Sequence, residues 1–391
     1  MGATKQPLSS MADITNARSP FALGDPVPLF SAPVITGGSF DLHVSAGRWV
    51  VLCFLGAPDH PQTETEIAAL LRLGDLLHKD HIVVKCILAA PPAAANLAAL
   101  GNKTLTFLAD YDSAISRAYG AFGTPRTIVL DPMLRGIANI PFDFPQGHAD
   151  SVASLLRSLP KVDDAAGVPL TAPALIVPRI FDFPLCDFLI DFYERNGGED
   201  SGFLLDVEGK TTTVLDHRLK RRRDLVVALP EVRALIRDRI VRRLLPAIDR
   251  YFQFSATRMD KYVVACYDSA QGGHFHRHRD NVNVGAQHRR FAVTINLNND
   301  YDGCDLMFPE FGRRIYRAPH GGALVFSCGA LHQVTPVTRG KRYAFLAFLY
   351  GEADAAKRAA NNARLHDSEA HYSGGQDSLF PDQSGDADKA A

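Results

Sequence analysis

The sequence predicts two unequal domains: an α/β domain on a largely parallel sheet, then an all-β sandwich or jelly roll with flanking helices. Three observations carry this expectation. The length, 391 residues, exceeds one ordinary domain of roughly 100–200 residues. The hydrophobic pattern changes period, from strand-length apolar runs alternating with helical stretches to short strands separated by turns. Between the two regimes lies a Pro- and Ala-rich break, PKVDDAAGVPLTAPA, at 160–174. The expected layout is a disordered leader at 1–20, an α/β domain at 22–160, a linker at 161–174, a β-rich domain at 175–352 and a flexible tail at 353–391.

Each element has its own signal. Residues 1–20 are polar and unpatterned. WVVLCFLGA (49–57) is a continuous apolar run of strand length that ends in the turn-rich APDHPQ. ETEIAALLRLGDLLHK (64–79) then sets Ile67, Leu70, Leu71 and Leu77 at helical spacing. Gly74 falls on the same face and weakens that helix by about 1 kcal/mol relative to alanine. IVVKCILAA (82–90) and TPRTIVLDP (124–132) read as further strands. Strands alternating with helices imply crossover connections and a mostly parallel sheet. After the break, helices are expected near 184–195 and 230–252. The second carries Val232, Leu235, Ile236, Ile240, Leu244 and Ile248 on one face, with Pro246 placed to kink its end. Beyond Asp260, YVVACY, RFAVTINLN, GALVFSC and YAFLAFLY are short β-branched or aromatic runs between turn residues, the signature of an antiparallel sandwich or jelly roll.

Composition excludes several classes. Lys plus Arg number 42 against 43 Asp plus Glu, which argues against a chain built to coat nucleic acid or an anionic membrane. Six cysteines lie far apart with no C-x-x-C pair, so a disulfide scaffold or zinc ribbon is not expected and a reducing cytoplasm is the natural compartment. No apolar signal region and no stretch of 18 apolar residues occurs. A soluble, cytoplasmic protein is the expectation.

Fourteen histidines include a dense set in GGHFHRHRDN (272–281). His-x-Asp occurs at His78–Asp80, His148–Asp150 and His278–Asp280. The first pair ends a predicted helix, where residues two apart diverge, and the second lies in a loop. The third is in strand context, where residues two apart share a face and can grip one ion. It is followed by His332, 52 residues beyond Asp280. Two imidazoles and a carboxylate form the facial triad of non-haem Fe(II) oxygenases; a catalytic zinc is the alternative metal. A reading based on His276 and His278 as His-x-His needs a glutamate shortly afterwards, and none follows. His274 and His276 share the strand parity of His278 and read as rim or substrate-facing residues.

Arg342 stands ten residues beyond His332. A co-substrate such as 2-oxoglutarate chelates iron at one end and needs a buried cation for its far carboxylate, which a guanidinium supplies bidentately. The basic run RLKRRRD (218–224) reads as a solvated loop compensated by nearby acids, or as a phosphate- or peptide-binding loop over the site.

In the first half, GDPVPLF (24–30), WVVLCFLGAPDHPQTETE (49–66) and TPRTIVLD (124–131) resemble the thioredoxin-like fold of peroxiredoxins over roughly 22–160. Aligned on Pro61 and Glu66, the position of that family's peroxidatic cysteine falls on Thr63, whose hydroxyl cannot replace a thiolate. The nearest thiols, Cys53 and Cys86, sit in predicted buried strands. Pro125 is the candidate for the fold's cis-proline, and Arg126 echoes the family arginine. The resemblance implies a domain without its nucleophile, left to binding a partner protein or to self-association.

In the second half, ACYDSAQGGHFHRHRDN, RRFAVTINLNNDYDGCDLMFPEFG and GGALVFSCGALHQVTPVTRGKRYAFLAFLY resemble the prolyl 4-hydroxylase-type 2-oxoglutarate and Fe(II)-dependent oxygenases, over about 175–350. That resemblance implies a double-stranded β-helix with iron on His278, Asp280 and His332, and Arg342 paired with the 2-oxoglutarate C5 carboxylate. It further implies Tyr267 bonded to 2-oxoglutarate and Thr294 and Asn296 turned inward. Cys304 departs from the family by replacing the second glycine of a Y-x-G-G turn. The implied activity is a dioxygenase hydroxylating a peptidyl (prolyl-type) or small-molecule substrate, with succinate and CO2 released and L-ascorbate as reductant. The alternatives are a thioredoxin-like scaffold protein, or an atypical thiol peroxidase with a vestigial iron site.

Overall fold

The computed structural model describes residues 20–56, 65, 67–69, 76, 82–91, 105–143, 147–207, 209–366, 372 and 377–380. The chain divides into two compact units, one of residues 1–171 with 309–313 and the other of 172–308 with 314–391. Among the described residues, no helix is long and apolar enough to cross a membrane.

In the first unit, β1 (Ser31–Pro33) and β2 (Ser39–Asp41) form a hairpin, and a five-stranded sheet follows. Its strands are β3 (Trp49–Gly56), β4 (Ile82–Leu88), β5 (Thr106–Ala109), β6 (Arg126–Leu130) and β7 (Gly136–Pro141), in the order β5-β4-β3-β6-β7. The β3/β4 and β4/β5 pairs are parallel, but β6 runs antiparallel to both β3 and β7. The sheet is thus mixed, not mostly parallel. The short turn between β6 and β7, where the Asp131 carboxylate accepts from the Met133 and Arg135 amides, makes that pair antiparallel, since a turn this tight joins only antiparallel strands. Helix α1 (Ala114–Ala118) precedes β6, and α2 (His148–Ser158) packs Val152 and Leu156 into the sheet core. Residues 65 and 67–69 are helical with Ile67 buried, while Pro61, Thr63, Glu66 and most of 64–79 lie outside the described residues. No peptide bond among the described residues is cis, so the candidate cis-proline, Pro125, is trans, the isomer that X-Pro bonds favour by about 0.5–1 kcal/mol.

The second unit is a sandwich of antiparallel sheets. Its strands are β8 (Ala174–Val177), β9 (Glu199–Asp200), β10 (Phe203–Val207), β11 (Lys210–Val214), β12 (Lys220–Arg221), β13 (Arg223–Val226), β14 (Arg258–Asp268), β15 (His274–His278), β16 (Phe291–Asn296), β17 (Asp302–Gly303), β18 (Leu306–Met307), β19 (Ile315–Tyr316), β20 (Ala323–Ser327), β21 (His332–Val334), β22 (Val337–Arg339) and β23 (Lys341–Tyr350). The major sheet runs β8-β20-β16-β23-β14-β13-β9 and the minor sheet β12-β15-β21-β18-β19. Helix α3 (Phe183–Asn196) is capped by Asp182, which accepts from the Leu185 amide. With α4 (Pro230–Arg239) and α5 (Leu245–Phe252) it covers one face of the major sheet. There Leu189, Ile236, Leu244 and Ile248 pack with Val264, Ile295, Phe345 and Ala347. Between α4 and α5 the expected kink appears as a π turn over Ile240–Leu244. Pro246 has no N–H and crowds the carbonyl four residues earlier, so the ladder widens just before it.

Strand parity then decides what points between the sheets. Val264 and Cys266 of β14, Val293 and Ile295 of β16, and Tyr343 and Phe345 of β23 belong to the helix-side core. Their neighbours Tyr267, Thr294, Asn296 and Arg342 therefore face the opposite way, into the sandwich.

The run RLKRRRD is not a solvated loop: Lys220 and Arg221 form β12, Arg223 opens β13, and Lys220 is buried. The supposed flexible tail begins with helix α6 (Glu352–Ala360), while Tyr372 and Leu379 are buried further along. Charge anchors it where apolar pattern is sparse. Arg358 pairs with Asp377 and Asp260, Arg258 with Glu352, and Arg290 with Asp354. Residues 1–19 and 381–391 lie outside the described residues.

Candidate metal centre and anion pocket

His278, Asp280 and His332 converge, with one ligand atom from each within 4.8 Å of the others. His278 ends β15 and pairs across the ladder with His332 at the start of β21. Asp280 sits in the turn just past β15, its amide held by the Cys328 carbonyl at 2.9 Å. Its two carboxylate oxygens lie 3.5 Å from His278 Nε2 and 3.5 Å from His332 Nε2. Each imidazole has its other nitrogen on a backbone carbonyl two residues back: His278 Nδ1 on His276 at 2.7 Å and His332 Nδ1 on Ala330 at 3.0 Å. If Nδ1 carries the proton, both Nε2 lone pairs face the carboxylate, the arrangement a divalent metal requires.

The electrostatics fit that donor set. Burial pushes the His332 pKa down to about 4, helped by neighbouring His278, so His332 is a neutral ligand at neutral pH. Burial alone would raise the Asp280 carboxyl, but the His332 and His278 rings outweigh it and hold Asp280 below the ordinary carboxylate range. Two histidines and one carboxylate on one side of a site suit Fe(II) with open positions. The Phe275 ring stacks on His278 at 3.5 Å between centroids and screens it from the side.

That stacking also corrects the parity of His274 and His276. A bulge between Phe275 and His278 shifts the register by one residue, so Phe275, not His276, shares the His278 face. His276 is exposed, and the His274 ring nitrogens are taken by the Gly272 and Arg218 carbonyls. Neither reaches the cluster.

Arg342, 4% exposed on β23, forms the second focus. Its Nε donates to Asn296 Oδ1 at 3.0 Å, and Nη2 donates to Thr294 Oγ1 and Asn296 Oδ1, each at 2.8 Å. Its guanidinium carbon lies 5.7 Å from the centroid of the Tyr267 ring. The four residues are thus in one group. Among the described residues no carboxylate pairs with Arg342, so a buried positive charge stands with only neutral partners, a costly state unless an anion joins it.

Sequence reasoning missed Lys220 and Arg222. Arg222 clasps Asp224 through both Nε and Nη2, each at 2.6 Å, and reaches the Tyr267 hydroxyl at 3.4 Å. The Lys220 ammonium donates to Ser201 Oγ at 2.7 Å and to the Gly202 carbonyl at 2.6 Å, and lies 4.9 Å from the Phe275 ring centroid. Burial, with Arg222 adding to it, holds the Lys220 pKa well below its usual value. Nothing in the unbroken basic run Lys220 to Arg223 marks which of its side chains turn inward.

In the first unit, Cys53 and Cys86 are neighbours in register on β3 and β4 and fully buried. Thr127 Oγ1 bonds Cys53 Sγ at 3.4 Å, and His148 Nε2 bonds Thr127 Oγ1 at 2.8 Å. The Cys86 thiol is raised well above its usual pKa by its hydrogen bond to Cys53 and by burial, the opposite of what a nucleophile needs.

A thioredoxin-like domain joined to a jelly-roll domain with a His–Asp–His centre is the class these features define. Residues 23–135 match the model of the AhpC/TSA family, and residues 262–350 match that of the 2OG-Fe(II) oxygenase superfamily. The chain carries an N-terminal domain of the first kind and a C-terminal domain of the second. It is 27% identical over 117 residues to a PKHD-type hydroxylase of Synechococcus sp. (strain JA-2-3B'a(2-13)), covering 27% of this chain and 51% of that one. It is 34% identical over 113 residues to a PKHD-type hydroxylase of Paraburkholderia phymatum, covering 26% and 50%. The chain therefore spans about half the length of these curated relatives. Among solved structures, a Pseudomonas putida prolyl-4-hydroxylase aligns at 17% identity over 49% of this chain and 96% of its own, with a TM-score of 0.35. Peroxidoxin BcpB of Mycobacterium tuberculosis aligns at 23% identity over 36% and 98%, with a TM-score of 0.32.

Proposed function

We propose that the chain is a 2-oxoglutarate- and Fe(II)-dependent dioxygenase that hydroxylates a peptidyl residue of prolyl type or a small molecule. The observation that carries this reading is the pairing, within one sandwich, of the convergent His278, Asp280 and His332 donors with the carboxylate-free buried guanidinium of Arg342. The donor set fits Fe(II), with both Nδ1 atoms occupied by backbone carbonyls and a carboxylate held ionised between the rings. When bound, Fe(II) with 2-oxoglutarate supplies O2-dependent oxidation of a C–H bond, with succinate and CO2 as co-products.

The chain's own residues bind, orient and exclude water. His278, Asp280 and His332 hold the metal, and the carbonyls of His276 and Ala330 fix the orientation of both rings. Arg342 takes the distal carboxylate of 2-oxoglutarate, with Thr294 and Asn296 locking the guanidinium in place so that little freedom is lost on binding. Tyr267, between Arg222 and Arg342, lines the same interior and offers its hydroxyl to 2-oxoglutarate. L-Ascorbate is the reductant proposed to keep the iron in its ferrous state. The N-terminal domain, with sealed thiols, serves partner binding or self-association, and the cytoplasm is the proposed compartment.

Anaerobic binding tests this reading. The wild-type chain is expected to take up one Fe(II) and then bind 2-oxoglutarate. Asp280→Ala should lose the metal, and Arg342→Ala should keep the metal but lose 2-oxoglutarate. A wild-type protein that binds Fe(II) yet ignores 2-oxoglutarate would sink the proposal.

A further inference from the structure

The Y-x-G-G departure at Cys304 falls on the wall of the pocket that holds Arg342. Gly303 and Cys304 both have left-handed backbones, with φ of 72° and 58°. Only the first must be glycine, since a Cβ there would meet the Pro336 carbonyl oxygen at 2.3 Å. At 304 the chain carries a side chain in a conformation that glycine would adopt at lower cost. That side chain is 2% exposed and lines one pocket with Tyr301, Thr294, Asn296 and Arg342. A strained, buried thiol aimed at a binding pocket calls for a role there.

Tyr301 supplies an independent observation. It is 2% exposed, and its hydroxyl, set beside the Arg342 guanidinium, finds no acceptor for its proton. A buried hydroxyl without a partner is destabilising unless something else satisfies it. Tyr301 and Cys304 both lie against the Arg342 guanidinium, whose Nε and Nη2 are already engaged by Asn296 and Thr294. An acceptor that serves the Tyr301 hydroxyl and the Arg342 guanidinium together completes both groups, and a carboxylate has the geometry for this.

We propose that Tyr301 and Cys304 determine co-substrate specificity. The Tyr301 hydroxyl donates to the same distal carboxylate that Arg342 binds, and the Cys304 thiol closes the pocket so that it selects 2-oxoglutarate against longer 2-oxo dicarboxylates. This rests on the function proposed above and adds the residues that measure chain length.

Calorimetry on the full-length Fe(II) protein without oxygen provides the test, using 2-oxoglutarate and 2-oxoadipate, which is one methylene longer. The wild type should favour 2-oxoglutarate by about tenfold or more, the usual scale for one methylene in a closed pocket. Cys304→Gly should shrink that preference to about threefold or less by tightening 2-oxoadipate, while Cys304→Ser, of similar size, should keep it. Should Cys304→Gly fail to fold, Cys304→Ala gives the same reading. Tyr301→Phe should weaken both ligands by roughly tenfold, as expected for one hydrogen bond to a charged group. Wild-type selectivity in the small-residue variants, or unchanged affinity in Tyr301→Phe, overturns the inference while leaving the proposed function intact. A wild type that binds neither acid overturns the function itself.

Discussion

Each unit of this chain buries a histidine beside groups that could do chemistry, and the two outcomes differ. In the first, His148 spends Nε2 on the Thr127 hydroxyl, which in turn bonds Cys53; all three are buried, Phe142 packs on the His148 ring at 4.5 Å between centroids, and Cys53 belongs to the apolar core. In the second, His278 and His332 spend Nδ1 on their own backbone, so that both Nε2 atoms converge on Asp280. The polar groups of the first unit satisfy one another, whereas those of the second leave valence for a ligand. Burial of a histidine says little about function; which nitrogen stays free says a great deal.

The largest expected effect follows from breaking the open site. Asp280→Ala should abolish Fe(II) retention, read by metal analysis after gel filtration, while circular dichroism stays native. Next, Arg342→Ala should raise the 2-oxoglutarate concentration needed for half-saturation by about 30-fold or more, given the 2–5 kcal/mol typical of losing a buried charge pair. Arg342→Lys should recover only part of this, because an ammonium cannot reproduce the fork.

A third prediction concerns the ionic cluster that fastens the C-terminal helix. Asp260 accepts from Arg289 at 3.0 and 3.1 Å, with Arg358 at 3.4 Å and His288 at 3.5 Å. Burial opposes its charge, but Arg289 and its other partners hold its pKa well below the ordinary carboxylate value. Its stabilisation is therefore complete above the unfolded-state pKa of about 3.9 and is lost as pH falls further. Asp260→Asn should lower unfolding free energy by about 3–5 kcal/mol at pH 7 in urea titrations. That deficit should shrink in acid, and a pH-independent one would contradict the assignment. The smallest effect belongs to the sealed unit. Cys53→Ser should cost about 1 kcal/mol of stability and leave succinate release by the chain unchanged.

The contrast between the units also explains what the sequence could disclose. His278, Asp280, His332 and Arg342 were legible because their residue types are rare together, although Asp280 sits in the turn past β15 and not in the strand that its spacing from His278 suggested. Period-2 alternation put Thr294 and Asn296 on one face, and the family resemblance turned that face inward. The bulge after Phe275 was not legible, since nothing in HFHRH marks an extra residue, and it turned the parity of His274 and His276 away from the site. Lys220 was hidden because a run of basic residues is normally solvated, whereas here Ser201 and Gly202 receive its ammonium inside. Helix α6 was hidden because it is anchored by ion pairs to distant residues, Glu352 and Asp354 to Arg258 and Arg290, and Arg358 to Asp260 and Asp377. In the first unit the long apolar strands β3, β4 and β6 were readable while β5 and β7 were not, the antiparallel pairing of β6 with β7 depended on a turn, and the position at Thr63 lies outside the described residues.

The most direct test of the central claim, that the chemistry belongs to the second unit, is succinate formation by the full-length chain. It would be measured with Fe(II), 2-oxoglutarate, ascorbate and O2 in wild type, Asp280→Ala and a Cys53→Ser/Cys86→Ser double variant. The expected result is release by the wild type and the double variant and none by Asp280→Ala. Release that persists in Asp280→Ala, or that vanishes with the two thiols while the fold is intact, would contradict the account.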